Sequence, residues 1–306
     1  MPHIAIIILN WNRPQLTIET VRSILKVRKV GFDYHIFLVD NGSTDNSAKL
    51  IKKAFNDQKS LSFLPLDTNR GFVDGNNFAI KHALKSKYDY VLLCNNDILV
   101  DPRFIKELLS SAQANSKIAI VGPKIYFAPG FEFHKKRYQK KDLGKIIWSA
   151  GGQMDWNNIL GSNIGIDQPD RGQYNQITTD IDFISGCCML IKTSLFSKIG
   201  LLDPAYFMYL EDVDFCQQAK KAGYKICYQP EAKIWHKNAG SSATGSHLHD
   251  YFIIRNRLYF ASHFASLRPR LALFRQSLKF LGGKNKWKKQ AVIDYYLKRL
   301  GRGSWK

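Results

Sequence analysis

Carboxylates that follow hydrophobic strands are the first residues in this chain able to do chemistry. Tyr90-Val91-Leu92-Leu93-Cys94 reads as a buried strand ending abruptly in Asn95-Asn96-Asp97. An acid there can cap the next turn, or it can hold a hard cation such as Mg²⁺ or Mn²⁺ that grips a diphosphate. Asn95 and Asn96 can add a carbonyl ligand or a ribose hydrogen bond. Glu211-Asp212-Val213-Asp214 opens a helix. Acids there complement the helix dipole by roughly 0.3–1 kcal/mol each, but three in four residues exceed what capping requires. An acid beside apolar walls keeps a pKa suited to accepting a proton. His236, after Ile234-Trp235, is either a structural imidazole among aromatics or the completion of a metal site begun by Asp97. Asp40, ahead of a glycine turn, serves that turn or accepts the imide N–H of a pyrimidine. Arg70 clamps a phosphate or is a loop charge.

These residues need strands to position them. Ile4–Leu9 is a short Ile-rich run of the kind found in buried parallel strands. It ends at Asn10-Trp11-Asn12-Arg13-Pro14, and Pro14 suits the first turn of a helix. Leu16, Val21, Ile24 and Leu25 then recur at helical spacing. Tyr34–Val39 is a second strand, closed by Asp40-Asn41-Gly42-Ser43-Thr44-Asp45, after which Ala48–Ile51 continues as helix. Leu61–Leu66 is a weaker strand, and a helix is expected around Asn77–Leu84. Further on come a helix at Arg103–Ala112 and a strand at Ile118–Val121. Glu211–Ala222 reads as helix, with short strands at Tyr224–Tyr228 and Lys233–Trp235. Such alternation predicts a mainly parallel α/β sheet with helices on both faces and ligands at the strands' carboxyl ends. Asn10, Asp40 and Asn95 to Asp97 all fall there.

Composition narrows the classes. The chain has 306 residues, 45% hydrophobic and 23% charged, which excludes disorder as the main state. No run of about 18 uninterrupted apolar residues suggests a spanning helix, and the first residues lack the pattern of a signal peptide. Cys94, Cys187, Cys188, Cys216 and Cys227 sit in apolar surroundings and read as buried thiols in a reducing compartment. The formal net charge is +20, which fits anionic lipid, nucleic acid or phosphorylated substrates. It concentrates in residues 128–147, read as an exposed insertion or flap, and in residues 266–306, where 12 Lys/Arg face one acid, Asp294.

Read together, these segments resemble the inverting family-2 glycosyltransferases of GT-A fold, within them the rhamnosyltransferase-like enzymes of bacterial surface polysaccharide. The resemblance is carried by Ile8-Leu9-Asn10-Trp11-Asn12, Val39-Asp40-Asn41-Gly42-Ser43-Thr44-Asp45, Asn69-Arg70-Gly71-Phe72 through Gly75-Asn76-Asn77, and Asn95-Asn96-Asp97. It continues through Asp182-Phe183-Ile184-Ser185-Gly186, Met208 to Phe215, Trp235-His236 and Tyr251 to Asn256, in the family's order. It implies a GT-A domain over residues 1–260 and a basic, amphipathic helical appendage over 261–306. It also implies a nucleoside-diphosphate sugar donor, dTDP- or UDP-linked with dTDP-rhamnose leading, and a glycan or lipid-linked acceptor. Asp40 and Asn10, Trp11 and Asn12 would recognise the base; Asn41, Arg70, Asn76, Asn95 and Asn96 join the donor site. Asp97 matches the last acid of the family's Asp-x-Asp motif, whose first position here is Asn95, and His236 the metal-associated histidine for Mg²⁺ or Mn²⁺. Asp212 matches the catalytic base, beside Glu211, with Gly186 and Arg255 on the acceptor side. The basic tail suits the inner face of a cell membrane, and the enzyme would be cytoplasmic and peripheral. The rivals are a nucleic-acid- or membrane-binding basic protein on a degenerate transferase fold, for which no nucleic-acid motif is found, and a nucleotidyltransferase, whose glycine-rich phosphate loop Asn10-Trp11-Asn12 lacks.

Overall fold

Along the first strand, β1 (His3–Asn10), Ile4, Ile6 and Ile8 face one apolar layer while Ala5 and Ile7 face another. Burial on both faces is what a strand covered by helices on each side requires. The computed structural model describes residues 1–238 and 246–305. After β1 come α1 (Pro14–Ile24), β2 (Asp33–Asn41), α2 (Ser47–Phe55), β3 (Leu61–Leu66), α3 (Gly71–Lys85), β4 (Tyr90–Cys94), β5 (Ile98–Val100), α4 (Phe104–Ala114) and β6 (Ile118–Phe127). β7 (Ile147–Ser149), β8 (Gly152–Asp155), β9 (Leu160–Asn163), β10 (Cys188–Lys192) and α5 (Thr193–Ile199) lead to α6 (Glu211–Lys221), β11 (Lys225–His236), α7 (His247–Phe264), α8 (Leu267–Gly282) and α9 (Lys286–Tyr296).

The main sheet runs β3-β2-β1-β4-β10-β6-β11-β5, with β7 beside β6. The pairings among β3, β2, β1 and β4, and between β6 and β11, are parallel as expected. β10 enters antiparallel between β4 and β6. α1, α2 and α4 cover one face through Val21, Ile24, Ile51 and Leu108; α3 and α6 cover the other through Val73, Ile80, Val213 and Phe215. The helix expected around Asn77 begins at Gly71. The two short strands expected at 224–235 are one strand, β11, with a shift of register between Gln229 and Lys233.

The segment 128–147 is pinned rather than free. Buried Glu132 accepts from the Gly130 and Gly144 N–H groups, Trp235 donates its indole N–H to Gly144 O, and Ile146 and Ile147 are fully buried.

The C-terminal helices join the core. A boundary at residue 260 falls inside α7. Ala291, Val292 and Asp294 of α9 are fully buried, and Asp294 accepts from the Tyr251 hydroxyl of α7 and the Ser304 N–H. Trp287 and Trp305 meet at 4.4 Å against Tyr251. Removing residues 266–306 strips this apolar cover, at about 1.5–3 kcal/mol per large side chain. We therefore expect the truncated chain to be insoluble or to melt well below the full chain; an unchanged melting temperature would show the tail to be dispensable to the fold.

Candidate active site

Strand register brings the first polar residues together. Asn10 and Asp40 are the terminal pair of the β1–β2 ladder, and the Asn10 amide donates to Asp40 Oδ1 at 2.6 Å. Ser43 donates to the same oxygen at 2.6 Å, and Thr17 donates to Asn10 Oδ1 at 2.6 Å. Asn96 donates to the Thr17 hydroxyl at 2.9 Å, joining the end of β4 to the end of β1 through α1. Asn12, in a left-handed conformation that Asn tolerates, accepts from Thr44 N–H, while its own N–H goes to Ser43 Oγ. Trp11 stands 40% exposed at this edge, a flat apolar face beside a buried carboxylate.

Asn41 is used differently. Its amide donates to Gly71 O and Asn69 Oδ1, and its Oδ1 accepts from Arg70 N–H. It therefore shapes the loop that carries exposed Arg70, whose guanidinium stands 5.7 Å from the Phe78 ring. Asn76, likewise buried, donates to Phe72 O one turn back in α3. Both act on the site through the backbone they hold.

Asp97 and His236 meet because Ile98 and His236 are partners across the β5–β11 ladder. His236 Nε2 lies 3.1 Å from Asp97 Oδ1, both side chains nearly buried, with Trp148 edge-on to the imidazole. Two ligands on one octahedral cation at about 2.1 Å stand about 3 Å apart, so this pair fits the footprint of one Mg²⁺ or Mn²⁺. The buried His236 Nδ1 has no hydrogen-bond partner among the described residues, so the ring's polar contact is the one its Nε2 makes with Asp97. No cluster of three His, Cys, Asp or Glu occurs among the described residues. A cation here would draw its remaining ligands from elsewhere, as Mg²⁺ does from substrate phosphates. Asn95 and Asn96 are partly exposed beside Asp97.

On the other side stands Asp212, at the head of α6. Its Oδ2 accepts from Gly186 N–H and its Oδ1 from Val213 N–H, each at 2.8 Å. Loss of water raises its pKa above the ordinary carboxylate value, an effect those N–H groups partly offset. Glu211 is pushed up further by burial and by the charge of Asp212, and its Oε2 has no hydrogen-bond partner among the described residues. Gly186 thus holds the carboxylate directly, and a Cβ there would press on Phe72 at 3.3 Å. The next residue, Cys187, accepts through its carbonyl from Asn95 N–H at 2.8 Å, so one short segment links the two halves of the site. All five cysteines are buried and unpaired.

The loop entering α6 is strained. Phe207, Tyr209 and Leu210 all have positive φ (64°, 68° and 70°), at about 1–2 kcal/mol each for residues with a side chain. Asn256 of α7 opposes that cost: its amide nitrogen donates to the carbonyls of Tyr206, Met208 and Tyr209 at 2.7–3.0 Å. Arg255, expected at an acceptor, is fully buried instead. Its guanidinium donates to Ala205 O, Tyr206 O, Gly301 O and Asn256 Oδ1 and lies over the Tyr251 and Phe252 rings. It is therefore corrected to a residue that positions the loop. Thr17, Ser43 and Asn256 also hold the site together, though the sequence assigns them no role; Ser43 and Asn256 stand inside the motifs quoted above, and Thr17 carries no local signal.

A cleft of about 570 Å³ lined by Leu99, Tyr126, Lys145, Lys233 and Trp235, among others, contains none of these residues.

Comparison with known proteins supplies the context. The family model for glycosyl transferase family 2 matches residues 5–200. N-acetylglucosaminyl-diphospho-decaprenol L-rhamnosyltransferase of Mycobacterium tuberculosis is 27% identical over 227 residues, 70% of each chain. Poly-beta-1,6-N-acetyl-D-glucosamine synthase of Staphylococcus epidermidis is 26% identical over 234 residues, 76% of this chain and 49% of that protein. GalNAc-T7, solved with UDP, GalNAc and Mn²⁺, superposes with a TM-score of 0.68 at 16% identity over 97% of this chain, which spans about half (55%) of that one. The mannosyltransferase PcManGT of Pyrobaculum calidifontis, solved with GDP-Man and Mn²⁺, does so with a TM-score of 0.55 at 13% identity, over 99% of this chain and 87% of that one. At these identities the two structures bear on fold alone.

Asn256→Ala releases three carbonyls and frees the loop ahead of Asp212. Turnover is expected to fall about 100-fold, the effect of misplacing a reacting group by about 1 Å, with the Kd for a nucleoside diphosphate within about twofold of the parent. Steady-state kinetics beside calorimetry distinguishes this from general unfolding, which would lower turnover and weaken nucleotide binding together; unchanged turnover would separate the loop from the chemistry.

Proposed function

The chain belongs to glycosyl transferase family 2 and is a glycosyltransferase of GT-A architecture, and from that premise we propose how its residues divide the reaction. The acceptor hydroxyl gives its proton to Asp212 as its oxygen attacks the anomeric carbon from the side opposite the diphosphate. The bond from that carbon to the diphosphate oxygen breaks in the same step, so the configuration inverts. The observation that carries this reading is the placement of Asp212: a water-poor carboxylate, oriented by two backbone N–H groups at a helix start. Such a group is basic enough to accept a proton and fixed enough to aim at one. Glu211, buried beside it, is itself pushed up by burial and by the Asp212 charge, which leaves Asp212 the charged partner of the two.

The donor is proposed to lie along the carboxyl ends of β1, β2 and β4. Asp40, already positioned by Asn10 and Ser43, accepts the imide N–H of uracil or thymine, and Trp11 offers a face for the base. Arg70 takes a phosphate; Asn95 and Asn96 serve the ribose or a metal ligand. Asp97 and His236 would hold Mg²⁺ or Mn²⁺, which when bound supplies positive charge to the leaving diphosphate. Gly186 borders the acceptor side through the carboxylate it holds. A dTDP- or UDP-sugar fits the pyrimidine reading, with rhamnose the sugar suggested by the mycobacterial relative, and that relative's name points to a lipid-linked glycan acceptor in surface-polysaccharide synthesis. We place the enzyme in the cytoplasm, at the inner face of the cell membrane. No helix among the described residues is long and apolar enough to cross one. Net charge alone favours a nucleic-acid partner equally, but nothing in this site resembles base-pair readout.

Asp212→Asn should abolish transfer, by about 1,000-fold or more for loss of a general base, while dTDP or UDP still binds. Because the pKa of Asp212 is raised, its proton is retained to higher pH than an ordinary carboxylate retains one. The log of kcat/KM should therefore fall as pH is lowered through a value above that of an ordinary aspartate, and the Asn variant should lose that limb along with its activity. Retained turnover in the variant would remove Asp212 as base.

His236→Ala should weaken Mn²⁺ binding about tenfold or more, read by electron paramagnetic resonance of free Mn²⁺ in the presence of UDP or dTDP. Mn²⁺ affinity equal to the parent's would exclude His236 as a ligand.

A further inference from the structure

The outer surface of α8 carries an apolar stripe that no described residue buries. Leu267, Leu271, Phe274 and Leu278 are between 48% and 69% exposed. Spaced four, three and four residues apart, they fall within about 60° of one another on a helix that turns 100° per residue. The buried face of α8 is a different one, carrying Leu273 and Ser277. Tyr296, at the end of α9, widens the stripe by meeting Phe274 edge-on at 6.5 Å.

Charge identifies what covers it. On the same projection Arg268 and Arg275 flank one side of the stripe and Arg270 the other. The one acid between residues 266 and 306, Asp294, is fully buried, so this surface presents cations around an apolar centre and no carboxylate from its own segment. A second copy of the chain would bring the same cations against themselves. An anionic bilayer offers acyl chains to the stripe and headgroups to its flanks.

We propose that the outer face of α8, with the end of α9, is an interfacial membrane-docking surface for anionic lipid. It deepens the membrane placement proposed above and rests on that reading for its purpose, though not for its geometry. α7 packs on α8 and α9, and its Arg255 and Asn256 hold the loop that aims Asp212.

The test uses the full chain and sedimentation with phosphatidylcholine vesicles, with or without about one-third phosphatidylglycerol, at low and high salt. The parent is expected to bind the anionic vesicles at least about tenfold more tightly than the neutral ones, with salt weakening the binding. Leu271→Ser/Leu278→Ser should bind the anionic vesicles at least about tenfold more weakly. That variant should keep the parent's melting temperature and its transfer to a water-soluble acceptor. Equal vesicle binding by parent and variant, or none by the parent, overturns the proposal. So does a dimer, seen by light scattering, that the variant dissociates. Vesicle binding that depends on the stripe in a protein unable to transfer sugar would uphold the surface and count against the function instead.

Discussion

The site depends on one amide. Three residues in left-handed backbone before α6 would relax toward ordinary conformations if left alone, and Asp212 would turn with them. The Asn256 side chain prevents this by collecting three carbonyls on one nitrogen, and the buried Arg255 shares the Tyr206 carbonyl and adds those of Ala205 and, in the C-terminal turn, Gly301. Around this fixed loop the other parts close. Gly71 has no Cβ to strike the Phe207 ring, which would lie 2.5 Å from one, and Val73 donates its N–H to Phe207 O. The start of α3 is itself shaped by Asn41 from the end of β2. A continuous path of short contacts thus runs from Asn41 at the end of β2 to the loop that precedes Asp212.

Much of this was legible in the sequence, and the reason is physical. Short continuous apolar runs ending in Asn or Asp mark the carboxyl ends of buried strands, so Asn10, Asp40 and Asp97 could be placed before their neighbours were known. The pairing of Asp97 with His236 rests on register between β5 and β11, strands more than a hundred residues apart, and from the residues alone it is one of two open readings of His236. What stayed hidden was of another kind. Arg255 is expected at the acceptor from the resemblance alone, but its burial depends on how α7 lies against the Ala205–Tyr206 carbonyls, which no local pattern encodes. The antiparallel entry of β10 was hidden too, since a short apolar strand carries no mark of its direction. The bulge between Gln229 and Lys233 made one strand look like two.

The basic tail illustrates how composition misleads about architecture. Twelve cations in forty-one residues suggest a solvated appendage, yet α9 buries Ala291, Val292 and Asp294 and seats Trp287 and Trp305 against Tyr251. Charge sits on the outward faces and the apolar residues divide between the core and the exposed stripe, so one segment both completes the domain and faces outward.

The place of β10 in the sheet has a consequence for how the chain is made. β1 to β4 can pair as soon as they leave the ribosome, but the free edge of β4, Tyr90–Cys94, is covered only by β10, whose Cys188 lies opposite Cys94. About ninety residues separate them, so at ribosomal rates of roughly 5–20 residues per second that edge waits about 5–20 s for its partner. Tyr90–Cys94 is apolar on both faces and carries no charge or proline to discourage a stranger. Production of this protein is therefore most vulnerable in that interval, and slower synthesis or a bound chaperone would act there, not on the finished molecule.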